Sequence, residues 1–157
     1  MADPEIKSPS EYAVLPAGTE VRYGQKGATI TTASLLQSAM AIGATGKKGT
    51  FMEVTRLIDK EPKYMADMGE GEDKTLVFID DPSDTVQEAL LSDADAKKTV
   101  VFFMRFPNKR ISEVELVLAG WSLQSVDTPK GKVLQVEVYG KQNSIKWSVE
   151  QPAGSGE

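Results

Sequence analysis

Carboxylates are the side chains here whose type and spacing invite a chemical reading. The chain has no His and no Cys. That removes the commonest general base, the Ser–His–Asp and Cys–His mechanisms, and imidazole and thiolate metal ligands. Asp80, Asp81 and Asp84 crowd one turn, and Asp67, Glu70, Glu72 and Asp73 crowd another. Either group is of the kind that attracts a hard cation such as calcium, but neither follows the twelve-residue loop with its Gly and final bidentate Glu. A helix N-terminus accounts for the first cluster and a solvated loop for the second, so no metal site is expected. Gly69-Glu70-Gly71 lacks the strand-to-helix setting of a nucleotide-binding loop. A carboxylate pair for glycoside hydrolysis must face across a cleft, whereas Glu113 and Glu115 share one strand face with no opposed partner. The expectation is no catalytic residue, no cofactor and no enzyme.

The elements that would carry these acids form a meander from Lys97 to Tyr139. Lys98–Phe106 is β-branched and aromatic and closes at Pro107-Asn108; Ile111–Trp121 follows a tight turn; Lys132–Tyr139 follows Pro129 and Gly131. Such runs bounded by Pro, Asn and Gly predict strands. Val114, Leu116 and Leu118 alternate with Glu113, Glu115 and Val117, and Leu134, Val136 and Val138 alternate with Gln135 and Glu137. Period-two alternation predicts a sheet with one buried and one wet face. In these strands the wet face carries Glu113, Glu115 and Glu137 and no central Lys or Arg, so it is expected to be acidic.

The rest of the chain frames the meander. Residues 1–17, with Pro4, Pro9 and Pro16, read as an extended arm anchored by Tyr12, Val14 and Leu15. Gly18–Tyr23 is a short strand, and residues 28–42 are a strand with an irregular continuation. Thr50–Ile58 is a strand, and residues 59–73 are a long loop without structure. Loops of that length are functional or disordered more often than not. Tyr64, Met65 and Met68 suit a solvated loop poorly and belong to residue types enriched in interfaces, so docking on another chain is expected. Lys74–Ile79 is a strand. A helix then opens with Asp81 as N-cap and Pro82 as its first residue, shows Val86, Ala89, Leu90 and Ala94 as its apolar stripe, and ends near Asp95. Asn143–Glu150 is a final strand carrying Trp147, and residues 151–157 are a polar, disordered tail.

Length and charge bound the possibilities. At 157 residues this is one domain, residues 18–150 between the two ends, and it needs no staples to bury a core. The net charge of −5 argues against tight binding to a phosphate backbone. No stretch approaches the roughly 18 apolar residues of a membrane span, and Met1–Lys7 lacks the apolar core of a signal peptide. A protein made in a cytoplasm, with no membrane partner, is expected.

Order and spacing from Gly46 to Trp121 resemble the major tail tube protein of long-tailed, non-contractile bacteriophages. The matching features are the glycine-led strand Phe51–Ile58, the long loop with Tyr64 and Gly69, the strand Lys74–Ile79, the helix with Gln87 and Ala89-Leu90-Leu91, then Arg105–Asn108 and Gly120-Trp121-Ser122. The resemblance implies a mainly β fold, an antiparallel β-sandwich or half-barrel with one packed α-helix, whose strands join those of neighbours into a closed inner barrel. It implies hexameric rings stacked into a hollow conduit for DNA ejection, in the virion tail, made in the host bacterial cytoplasm. It further implies Glu113, Glu115, Gln135 and Glu137 lining the lumen, Tyr64, Met65 and Met68 between rings, and arm contacts through Tyr12, Val14 and Leu15. Implied partners are the chain itself, a tape-measure protein, terminator and baseplate proteins, and DNA in passage without specific binding. Two other readings stay open: a tube protein of a type VI secretion-like system, and a stand-alone β-sandwich binding module, which predicts a monomer with an aromatic platform.

Overall fold

The computed structural model describes residues 5–71, 73–127 and 129–150. Pro4, in the expected arm, and the expected tail 151–157 lie outside them. In the first half, α1 (Pro9–Tyr12) precedes β1 (Glu20–Gln25), β2 (Ser34–Leu35), β3 (Ala39–Ala41), β4 (Lys47–Lys48), β5 (Phe51–Glu53), β6 (Tyr64–Ala66) and β7 (Glu70–Gly71). The second half holds β8 (Asp73–Ile79), α2 (Thr85–Asp95), β9 (Thr99–Arg105), β10 (Arg110–Leu123) and β11 (Gln135–Val149).

Seven strands make one antiparallel half-barrel sheet in the order β2-β1-β9-β10-β11-β8-β3. Its edges, β2 and β3, are two and three residues long, which limits open pairing. Alternation sets the faces. Leu76, Phe78, Val100, Phe102, Met104, Val114, Leu116, Leu118, Val136 and Val138 point to one side, where Leu90, Leu91 and Ala94 of α2 cover them. The meander and its packed helix are thus as the alternation predicts.

Several boundaries differ from expectation. The segments ending at Tyr139 and starting at Asn143 are one strand, β11, whose ladder with β10 passes two irregularities. At one, Gly120 adopts φ 106°, a left-handed conformation suited to glycine, and β10 gains an extra residue there. Leu134 precedes β11 and is exposed, so it does not share the buried face of Val136 and Val138. The helix begins one turn later than expected, capped by Asp84, whose Oδ1 accepts from the N–H groups of Val86 at 3.0 Å and Gln87 at 3.5 Å. Asp81 instead accepts from the hydroxyl and N–H of Ser83. The buried stripe is Gln87, Leu90, Leu91, Asp93 and Ala94; Ala89 is exposed. Gln87 fixes the β8–α2 turn, donating to the carbonyl of Ile79 at 2.8 Å and accepting from the N–H of Asp81 at 2.9 Å. At the other end, the carboxylate of Asp93 accepts from the Tyr23 hydroxyl at 3.0 Å and the Gln25 amide at 2.8 Å, which ties α2 to β1.

Candidate assembly surface

Residues 59–73 are not a loop without structure. Residues 59–71 are the returning half of a long hairpin, and the expected strand Thr50–Ile58 keeps only β5. Lys47 pairs with Gly71 and Lys48 with Glu70; Phe51, Met52 and Glu53 pair with Ala66, Met65 and Tyr64. The N–H of Asp67 donates to the carbonyl of Thr50 at 2.7 Å and that of Val54 to Lys63 at 2.8 Å, so the ladder continues between and beyond the paired stretches. The tip is a turn clasped by an ion pair. Asp59 Oδ2 accepts from the Arg56 N–H at 2.9 Å and from its Nε at 3.2 Å, while Oδ1 accepts from Nη2 at 2.9 Å. These bonds hold the Asp59 carboxyl below the usual carboxylate range.

From Phe51 to Met68 every residue except Asp59 is exposed. Tyr64, Met65 and Met68 therefore make no core of their own, and Phe51, Met52, Leu57 and Ile58 join them. A two-stranded ribbon alone is marginal in water, and this one shows apolar side chains on both faces.

The root of the ribbon is fixed. Lys74 lies on the apolar side of β8 and is buried; its Nζ donates to the carbonyls of Ile42 at 2.7 Å and Ala44 at 2.8 Å and to Thr45 Oγ1 at 2.9 Å. Gln142, also buried, donates to the carbonyl of Gly46 at 3.0 Å. Gly71 crosses β11 so closely that a Cβ there would overlap the carbonyl oxygen of Gln142. Sequence reasoning missed this root and the Arg56–Asp59 clasp. The alternation Lys74-Leu76-Phe78 did carry a signal, a charge in phase with core residues; nothing local marks Gln142.

Glu113, Glu115, Gln135 and Glu137 all lie on the sheet face turned away from α2. They are not one cluster. Glu137 pairs with Ser122, which is on the order of 30 Å along β10 from Glu113. Nor is the face uniformly acidic. Because β11 runs on past Tyr139, Lys146 stands opposite Glu113 and Lys141 opposite Val117, and β1 and β9 add Arg22 and Arg105. Glu20 lies 3.5 Å from Arg22 and 3.6 Å from Arg105, whose Nε is 3.8 Å from Glu150. Glu137 is held by the Tyr139 hydroxyl at 2.7 Å and the Gln124 amide at 2.8 Å, bonds that keep its carboxyl below the usual range. Gln135 reaches Met40 Sδ at 3.1 Å.

Residues 5–15 are extended apart from the single turn α1, and Tyr12, Val14 and Leu15 are exposed. This segment borders a cavity of about 780 Å³ at the open end of the core, walled by Leu15, Val21, Met40, Ile42, Phe106 and Trp147. Among the described residues no group of three or more acidic side chains converges to hold a metal, and no helix is long and apolar enough to cross a membrane. Asp67 bonds the Met68 N–H at 2.7 Å; Glu72 lies outside the described residues.

Comparison with known proteins places this geometry. A chain of the anti-feeding prophage tube-terminating cap superposes with a TM-score of 0.71 at 9% identity, covering 95% of this chain and 97% of that one. A chain of the PVC extracellular contractile injection system, from its extended sheath–tube complex, gives 0.69 at 10%, covering 92% and 100%. The SPP1 tail tube gives 0.53 at 13%, covering 85% and 78%. At these identities the likeness is one of fold. No curated protein sequence matched. The phage tail tube protein family model matches residues 14–150, nearly the whole described sheet, helix and hairpin, and the chain therefore belongs to the phage tail tube protein family, as a structural, non-enzymatic subunit of the virion tail.

Proposed function

We propose that the chain assembles as hexameric rings stacked into a hollow tube, in a long-tailed non-contractile phage, and that DNA passes through it without specific binding. The hairpin carries this reading. It is an ordered ribbon with apolar side chains on both faces, which a free subunit has no means to cover. The GTA particle tail, a further fold match with a TM-score of 0.64, was solved with C6 symmetry, which favours six subunits. In this arrangement residues 18–150 are the tube domain, and the sheet face away from α2, with Glu113, Glu115, Gln135 and Glu137, lines the lumen. Tyr64, Met65 and Met68 meet the next ring, as do Tyr12, Val14 and Leu15 of the arm 1–17. The AFP and PVC matches include cap, baseplate and terminator complexes, which supports terminator and baseplate partners beside a tape-measure protein.

A lumen of mixed charge suits passage. Duplex DNA carries one charge per roughly 1.7 Å of axis, and a lysine-rich wall would hold it by counterion release. Alternating Glu and Lys or Arg leave little net field beyond the Debye length of about 8 Å. Changing Glu113, Glu115 and Glu137 to Lys adds +6 to the subunit charge of −5. The expected result is particles with intact tails that eject poorly, with relief at high salt.

A contractile tube is the second reading, favoured by the higher TM-scores of the AFP and PVC chains; a sheath around tubes in purified particles decides between the two. Electron microscopy of the purified chain at rising concentration tests the assembly itself. Tubes are expected, and Met65→Asp with Met68→Asp should abolish them while leaving a folded subunit, since buried unpaired charge costs several kcal/mol. A monomer at every concentration refutes the proposal.

A further inference from the structure

The hairpin gathers oxidisable sulfur at the surface. Met52, Met65 and Met68 all lie on it, and they are 45%, 52% and 87% exposed. Met52 and Met65 are direct cross-strand partners, so their thioethers share one face of the ribbon. No core contact shields these sulfurs, since every residue from Phe51 to Met68 except Asp59 is exposed. The ribbon's other large aliphatic and aromatic hydrocarbons, Phe51, Leu57 and Ile58, are also exposed but offer no lone pair to an oxidant.

The other described methionines are placed differently. Met104 is fully buried, and its Sδ accepts from the Thr45 hydroxyl at 3.8 Å. Met40 lies outside the hairpin, and its Sδ accepts from the Gln135 amide at 3.1 Å. The chain has no Cys, so no thiol competes for an oxidant.

We propose that Met52, Met65 and Met68 form a modification site, oxidised to sulfoxides by peroxide in the free subunit, and that this reversibly withholds the subunit from the tube. A thioether lone pair attacks one peroxide oxygen, the O–O bond breaks and an S–O bond forms. Sulfur gives up an electron pair, and the second peroxide oxygen leaves as water. Dithiol reductases reverse the step, releasing the oxygen as water and becoming disulfides. Each sulfoxide turns a flexible apolar group into a polar one, which is costly to bury without a donor. The proposal rests on the tube reading, in which the ribbon is covered, so the same sulfurs are protected once tubes have formed.

The subunit is treated with hydrogen peroxide, mapped by peptide mass spectrometry, freed of oxidant and examined for tubes by electron microscopy. Met68 should gain oxygen first and Met104 last. The tube-forming concentration should rise about tenfold for each sulfoxide that must be buried. Methionine sulfoxide reductases, one for each sulfoxide epimer, should restore it. Preformed tubes given the same treatment should keep all three residues unoxidised. The combined variant Met52→Leu, Met65→Leu and Met68→Leu should form tubes before and after peroxide, whereas Met40→Leu should stay as sensitive as wild type. Melting curves matching untreated wild type show that each species is folded. Oxidised wild type that assembles at an unchanged concentration, reductase treatment that fails to restore assembly, or peroxide-treated Met40→Leu that forms tubes overturns the modification site and leaves the tube reading in place. A wild-type chain that never forms tubes overturns both.

Discussion

Replacing Lys74 by Met should loosen the root of the hairpin without unfolding the sheet. The Lys74 ammonium is buried and donates three hydrogen bonds of 2.7, 2.8 and 2.9 Å to Ile42, Ala44 and Thr45. Bonds to a charged donor contribute roughly 1.5–3 kcal/mol each. Met keeps the length of the chain and avoids the desolvation cost of the ammonium, which offsets part of that loss. A net loss of about 2–4 kcal/mol follows, smaller than the ~5–15 kcal/mol of an ordinary domain. The loss falls on residues 42–45, because the Ile42 and Ala44 carbonyls and the Thr45 hydroxyl lose the donor, while Leu76 and Phe78 on the same strand keep their packing. Amide exchange over residues 42–53 should accelerate about 30- to 1,000-fold, with exchange in β9 and β10 changing much less. Tube growth should need more protein, since the ribbon must be ordered before it can dock. Unchanged exchange at residues 42–53 in a folded variant would refute the anchoring role; global unfolding would show that the lysine supports the core instead.

Leu90→Ala removes a fully buried side chain between α2 and the sheet and should cost about 2–5 kcal/mol, a fall in Tm of roughly 4–20 °C by scanning calorimetry of the subunit. Gly71→Ala places a Cβ against the carbonyl of Gln142, so the β7–β11 crossing must open; faster proteolysis within residues 47–71 and weaker assembly are expected. Tyr139→Phe removes the first of the bonds that lower the Glu137 carboxyl, so that carboxyl should titrate at higher pH in a carbon-detected NMR titration. The sign follows from the lowered folded value. The stabilisation is present above the unfolded pKa and is lost as pH falls through the folded one, so wild type and variant should converge in stability at acid pH.

Whatever depends on local alternation was legible in the residues. Val114, Leu116 and Leu118 against Glu113 and Glu115 determine the two faces of β10, and the absence of His and Cys removes most catalytic chemistry before any fold is known. Leu90 and Ala94 mark the helix face for the same reason. Tertiary structure decided what depends on pairing between distant segments. Phe51–Glu53 and Tyr64–Ala66 read separately as a strand and part of a loop, and only their pairing makes a ribbon and exposes Leu57 and Ile58. The irregularities in β10 and β11 let one long strand bring Lys146 opposite Glu113, and so turn an acidic face into a mixed one. Asp84 rather than Asp81 caps α2 because Gln87 holds the preceding turn against the end of β8. Side-chain periodicity is a property of a few neighbouring residues, whereas register, bulges and buried polar anchors such as Lys74 and Gln142 are set by what a second, remote segment presents.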